Sequence, residues 1–171
     1  MRTPPRQGSG DRDRDAAGRA RSARPRDGLG RPLDRRAPGE PTIPDDLVLT
    51  PAQALELAQQ LVDDGRPFHA HEVLEASWRA APPGERDLWQ GLAQVAVGLT
   101  HARRGNQRGA AALLRRGAAR IGGYALASPH GIDAARIARA ADDLAARIEQ
   151  DGLAAIPPAD LRLGLRTDAD S

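Results

Sequence analysis

The sequence predicts an all-α fold, in which one five-helix, antiparallel, bundle-like domain follows a disordered N-terminal arm. Apolar residues recur at helical spacing, capping residues and glycine or proline breaks punctuate the chain, and no stretch alternates as strands do. The 171 residues suffice for one core but not for two. We therefore expect an arm at 1–45, a helical domain at 46–155 and an extended C-terminal tail at 156–171.

The arm is rich in arginine, glycine and proline. Residues 1–40 hold 11 arginines against six acidic residues, whereas the rest of the chain carries a net charge of −3. Such a segment buries too little apolar surface to offset its ordering entropy, so we predict disorder. Its arginines raise the alternative of binding nucleic acid or another anionic partner through phosphate contacts. No aromatic residue is interleaved to stack on bases, which favours a solvated tail.

Capping and stop signals place the five helices. Thr50 and Gln53 form a capping box, with Pro51 at the first helical position. The helices are predicted at about 51–64, 67–80, 85–104, 107–121 and 134–151, with Asn106 and Asp133 as the N-caps of the last two. Short connections favour antiparallel neighbours. We expect the four aromatic residues to pack in the core: Phe68, Trp78, Trp89 and Tyr124.

Composition excludes several classes of protein. The chain has no cysteine, which excludes a disulfide scaffold, a thiolate metal site and a thiol nucleophile. No window approaches the roughly 20 apolar residues of a membrane span, and the N-terminus lacks the apolar region of a secretory signal. We therefore expect a cytoplasmic protein with no membrane partner. The sequence indicates no cofactor, and it leaves open a homo-oligomer formed through an exposed apolar helix face.

The second helix carries the main cluster of polar residues. His71, Leu74, Glu75 and Trp78 follow the i, i+3, i+4, i+7 spacing of one helix face. Because that face includes a leucine and a tryptophan, we expect it to point inward, with His71 and Glu75 directed toward the core or a cleft in it. Glu72 lies about 100° from this stripe and is expected nearer to solvent.

The third helix supplies matching amides. Gln90 and Gln94 lie one turn apart, and a tight antiparallel hairpin would place Gln94 level with His71 and Gln90 level with Glu75. In that register His101 lies roughly 10 Å along the helix from the His71 layer.

Two glycines interrupt the same helix. Gly91 and Gly98 each cost about 1 kcal/mol of helix stability relative to alanine, so a packing reason is expected. We predict that they let the second helix approach closely.

Three segments carry a resemblance to a known family: FHAHEVLEASW, LWQGLAQVAVGLTHARRGNQRGA and the GID before the last helix. Over about residues 47–163 the chain resembles the domain of unknown function 309 family. The resemblance implies a small all-helical fold, a shared polar site and no established activity, and the arginine-rich extension departs from it. The motif positions are His71, Glu72, Leu74, Glu75, Trp78, Gln90, Gly91, Gln94, His101, Gly105, Asn106 and Ala110.

The polar cluster allows several interpretations. It can be a buried hydrogen-bond network that fixes helix register, or a non-catalytic site for a ligand or partner. An acid–base, hydrolase-like enzyme would use His71 and Glu75, although Ser77, the nearby hydroxyl, lies off their face. A metal site would need His71, Glu75 and His101, which is a sparse ligand set. The candidate ligand-binding residues are His71, Glu72, Glu75, Trp78, Gln90, Gln94 and His101.

Overall fold

A computed structural model describes residues 24–34, 36–39, 43–44 and 47–166 of the chain. Its five helices are α1 (Pro51–Asp63), α2 (Pro67–Ala80), α3 (Arg86–Arg103), α4 (Gln107–Gly122) and α5 (Ala134–Asp151). Single 3-10 turns lie at Pro83–Glu85, Pro129–Gly131, Leu153–Ala155 and Pro158–Leu161. The described residues contain no strand, so the all-α prediction is confirmed. None of the described helices is both long and apolar enough to cross a membrane.

The predicted caps form where the sequence places them. The Thr50 hydroxyl accepts a hydrogen bond from the Gln53 amide at 3.2 Å, and the Gln53 side chain accepts one from the Thr50 amide at 3.0 Å. Asn106 and Asp133 accept hydrogen bonds from the third helical amides of α4 and α5. These bonds satisfy amides that a helix start would otherwise leave unpaired, which defines where α1, α4 and α5 begin.

The helices pack in chain order, and α3 lies between α2 and α4. Four apolar side chains on one face of α3 are fully buried: Leu88, Leu92, Val95 and Leu99. Trp89 is 2% exposed and lies in the core as expected, whereas Trp78 and Tyr124 are half-buried and pack against its edge.

The closest helix contact joins α3 to α4, which corrects the prediction made for the glycines of α3. A Cβ at Gly91 would lie 3.0 Å from the Gly117 carbonyl oxygen and 2.8 Å from the Ile121 side chain, both on α4. A Cβ at Gly98 would lie 2.9 Å from Leu114, also on α4. The glycines therefore admit α4 and not α2. The sequence could not distinguish the two neighbours because both helices are antiparallel to α3 and adjacent to it along the chain.

The apolar core continues past residue 155, into the segment expected to be an extended tail. Ile156, Leu161, Leu163 and Leu165 are buried and belong to the same core as the helices. Pro158–Leu161 forms a 3-10 turn and not an extended strand. Alternate leucines at 161, 163 and 165 place three apolar side chains on one side of the segment, which explains why it packs on the bundle.

We predict that Gly117→Ala destabilises the fold. A Cβ there would lie 2.8 Å from the Gly91 carbonyl oxygen and 3.1 Å from the Val95 amide nitrogen. Because these are backbone atoms, α3 and α4 must separate. We expect about 1–2 kcal/mol of lost stability in urea unfolding, after the helix-propensity gain of alanine is subtracted.

Gly84→Ala is the matched control, because a Cβ at Gly84 meets nothing within 4 Å. Its stability should stay within about 0.5 kcal/mol of wild type. A Gly117→Ala protein as stable as the control would contradict the close contact.

Candidate functional site

The core-facing side of α2 differs from the predicted one. The buried residues of α2 are Pro67, His69, Ala70, Val73 and Leu74. His71, Glu75 and Trp78 are half-buried at the edge, so their stripe lies about a quarter-turn from the core face. His69, at 1% exposure, is the buried histidine. The inward face was predicted from Leu74 and Trp78. Leu74 is buried, but Trp78 is only half-buried, and the small residues Ala70 and Val73 complete the buried face instead.

His71 and Glu75 contact each other at the edge of this face. The His71 Nε2 lies 3.7 Å from a Glu75 carboxylate oxygen, and the other Glu75 oxygen lies 3.5 Å from Arg79. Burial lowers the pKa of His71 below its ordinary value, while the Glu75 carboxylate and the Phe68 carbonyl oppose that shift. Burial therefore favours the neutral form of the His71 imidazole. Its Nδ1 is shielded from solvent and has no hydrogen bond of good geometry.

The predicted network between α2 and α3 is not formed in the described part of the chain. The Gln94 Oε1 atom is shielded from solvent and has no hydrogen-bond partner there. The contacts of Glu75 are with His71 and Arg79 on its own helix. Among the described residues the two glutamines therefore do not join the His71–Glu75 pair through hydrogen bonds, and the interpretation of this cluster as a structural network stays a prediction.

His101 has a separate role at the other end of α3. Its Nδ1 lies 2.8 Å from the side-chain nitrogen of Asn106, the residue that caps α4. Burial, followed by the Arg104 charge, lowers the pKa of His101. The described residues contain no group of three or more histidine, aspartate or glutamate side chains placed to hold a metal ion. His71, Glu75 and His101 are thus not assembled as a metal centre.

Of the groups considered for acid–base chemistry, only His71 and Glu75 contact each other. The Ser77 hydroxyl donates to the Val73 carbonyl oxygen at 3.2 Å, which commits it to its own helix. Among the residues that the structure describes, the pair thus has a base and a carboxylate but no adjacent nucleophile.

Residues 25–33 of the arm form a compact turn, which we call the hook. Asp27 Oδ1 accepts hydrogen bonds from the amides of Leu29 and Arg31 at 2.9 and 2.8 Å. The Leu33 amide donates to the Pro25 carbonyl oxygen at 2.7 Å and closes the turn. Gly30 at its tip has a φ of +71°, which favours glycine. The composition of the arm does not predict this structure.

The hook rests on Phe68 at the start of α2. The Arg26 guanidinium lies 5.7 Å from the centre of the Phe68 ring, a cation–π distance. Gly30 is buried directly against the same ring, so that a Cβ at this position would overlap it. Arg104, at the end of α3, donates a hydrogen bond to the Leu29 carbonyl oxygen.

A second part of the arm reaches α2 between one and three turns beyond Phe68. Ile43 and Pro44 line a small cleft of about 140 Å³, which is completed by Glu72, Glu75, Ala76 and Arg79. One carboxylate oxygen of Glu72 is shielded from solvent there. Glu72 is thus half-buried in the cleft, whereas the sequence placed it nearer to solvent.

These contacts share one side of the helix, which we call the outer stripe of α2. It consists of Phe68, Glu72, Glu75, Ala76 and Arg79, spaced at three and four residues. The stripe lies opposite the buried face and combines an aromatic ring, two carboxylates and a guanidinium.

A histidine–glutamate pair that the sequence did not reveal lies at the other end of the molecule. The His130 Nε2 lies 2.7 Å from Glu85, whose carboxylate is also 3.5 Å from the Trp89 indole nitrogen. The hydrogen bond from His130 is the main cause that lowers the pKa of Glu85. His130 has a φ of +56°, which is a left-handed backbone conformation. The signal that the sequence offered was the Ser-Pro-His-Gly loop that contains it.

A wider cleft between α4 and α5 measures about 400 Å³. Its lining residues are Gln107, Arg108, Ala111, Ala112 and Glu149. Glu149 is already bound by Arg115 through two hydrogen bonds, at 2.6 and 3.2 Å. None of the predicted site residues lies in this cleft, which leaves α2 as the better-supported site.

Comparison with known proteins finds a protein family that is similar to part of the helical domain. Residues 55–113 match the family described as Domain of unknown function (DUF309), so the resemblance is confirmed over that range. The range contains the site residues of α2 and α3, and excludes both the hook and His130.

One relative is the uncharacterized protein YpuF of Bacillus subtilis (strain 168), which is 46% identical over 48 residues. The aligned segment spans 28% of this chain and 28% of that protein. No solved structure is significantly similar to the chain.

We predict that Glu75→Gln lowers the pKa of His71 further. The Glu75 carboxylate is the largest influence that opposes the effect of burial, and the variant removes its charge. An NMR titration of the histidine ring protons measures the change, with Glu149→Gln as a control for a distant exposed carboxylate. An unchanged or higher pKa of His71 would show that the pair does not interact.

The same shift predicts how stability depends on pH. Because the folded state holds the pKa of His71 below its unfolded value of about 6.5, its contribution is complete above that pH. The contribution is lost as pH falls toward the folded pKa. Urea unfolding of wild type and His71→Gln should therefore show a smaller pH-dependent loss for the variant between about pH 7 and 5.

Proposed function

We propose that this protein is a non-catalytic interaction module whose outer stripe of α2 binds an extended segment that contains arginine and proline. The observation that carries the proposal is the position of the chain's own arm. The hook contacts the stripe at Phe68, and Ile43 and Pro44 line the cleft that Glu72 and Arg79 complete. Both places lie on one side of one helix.

The chemistry of the stripe suits such a segment. An aromatic ring binds a guanidinium through its face, and glutamate carboxylates pair with a second guanidinium in a forked geometry. Proline is pre-organised in an extended conformation, so that it loses little entropy on binding. The complementary charges of the basic arm and the acidic remainder of the chain support the same choice.

The dimensions of the stripe define the length of the segment. Phe68 and Arg79 are eleven residues apart, which corresponds to about 16 Å along the helix. An extended peptide covers that distance with about five residues. We therefore assign the stripe to a short linear motif and not to a folded surface.

Nucleic-acid binding by the arm is less well supported by the contacts of its described residues. Arg26 stacks on Phe68 and donates to the Gly30 carbonyl oxygen at 2.6 Å, so its guanidinium is engaged within the protein. A phosphate would have to displace these contacts.

A labelled peptide that copies residues 22–46 tests the proposal. We expect saturable binding to the full chain, which Phe68→Ala weakens about fivefold through loss of roughly 1 kcal/mol of ring contact. Glu72→Gln combined with Glu75→Gln should also weaken it and reduce its dependence on salt.

Glu149→Gln serves as the control, because that carboxylate lies on α5 outside the stripe. Fluorescence anisotropy measures each dissociation constant. Equal binding to wild type and to the stripe variants would refute the assignment.

A further inference from the structure

We infer that the hook is a removable cover, which occupies the outer stripe of α2 in cis and must leave before a partner segment can bind. The inference rests on the proposed function and adds its regulation. The hook seals the Phe68 end of the stripe, while the same chain reaches the cleft at Ile43 and Pro44. The partner would be an extended segment with the same arginine and proline chemistry as the arm.

The hook is built to hold its own shape. The Asp27 side chain and the Pro25 carbonyl oxygen close it internally, and Arg26 bonds to the Gly30 carbonyl oxygen at 2.6 Å. A turn that is ordered by local hydrogen bonds loses little entropy on docking. It can therefore leave and return without refolding.

The attachment of the hook to the domain is made by side chains at the ends of α2 and α3. Among the described residues it includes the Arg26 and Gly30 contacts with Phe68 and a hydrogen bond from Arg104 to the Leu29 carbonyl oxygen. The covalent connection of the hook gives an effective concentration on the order of millimolar. A partner in trans must compete with this effective concentration of the hook. The apparent affinity for the partner is therefore the intrinsic affinity multiplied by the fraction of chains whose hook is released.

Gly30 provides a specific way to remove the cover. A valine at position 30 would overlap the Phe68 ring and would also carry a β-branched side chain at a positive φ. The helical core does not include the hook, so Gly30→Val should leave the core folded. Gly84→Val is the matched control, since position 84 faces open space.

The experiment measures binding of the labelled 22–46 peptide, which retains its own glycine, to the full chain and to both variants. We expect Gly30→Val to bind it about tenfold more tightly than wild type and Gly84→Val to bind it unchanged. The backbone amide shift of Phe68, whose ring lies against Gly30 in wild type, should change in Gly30→Val and stay unchanged in Gly84→Val, which reports release of the hook.

The outcomes separate the two ideas. Equal affinity for wild type and Gly30→Val would overturn the cover and leave the binding stripe standing. A Phe68 amide shift that stays unchanged in Gly30→Val would also overturn the cover, because Gly30 would then not be its point of attachment. Absence of peptide binding to every variant would overturn the stripe and the cover together.

Discussion

The close approach of α3 and α4 is the constraint on which the rest of the molecule depends. Gly91 and Gly117 face each other so closely that neither helix tolerates a Cβ at the contact without moving. Leu114 packs against Gly98, which lies about two turns beyond Gly91 on α3. Because dispersion and burial increase as helices approach, two small residues at the crossing stabilise it more than their poor helix propensity costs. This contact fixes α3 as the central element.

That position of α3 determines what remains accessible on α2. Helix α2 packs on α1 and α3 through the side that carries Ala70, Val73 and Leu74. Its opposite side has no helix against it in the described part of the chain, and there the N-terminal arm makes its contacts with Phe68 and with the Glu72 cleft. The outer stripe is thus a consequence of how the bundle packs.

The helices could be predicted from local sequence signals, whereas the residues of the candidate site depend on tertiary contacts. Thr50 with Gln53 defines a helix start within four residues, so the sequence alone suffices. The buried face of α2 depends on which neighbour packs closely, and an alanine such as Ala70 gives little signal by itself. The hook depends on a contact between Arg26 and Phe68, which are far apart in sequence. Composition counts apolar residues and cannot detect an arginine that docks on a distant ring.

The central claim is that the outer stripe of α2 is the binding surface, and mapping of backbone amide shifts tests it most directly. Addition of the unlabelled 22–46 peptide to the ¹⁵N-labelled full chain should perturb the amides of Phe68, Glu72, Ala76 and Arg79. The amides of α5 near Glu149 should stay unchanged. Perturbations confined to the cleft between α4 and α5, or none along α2, would contradict the account.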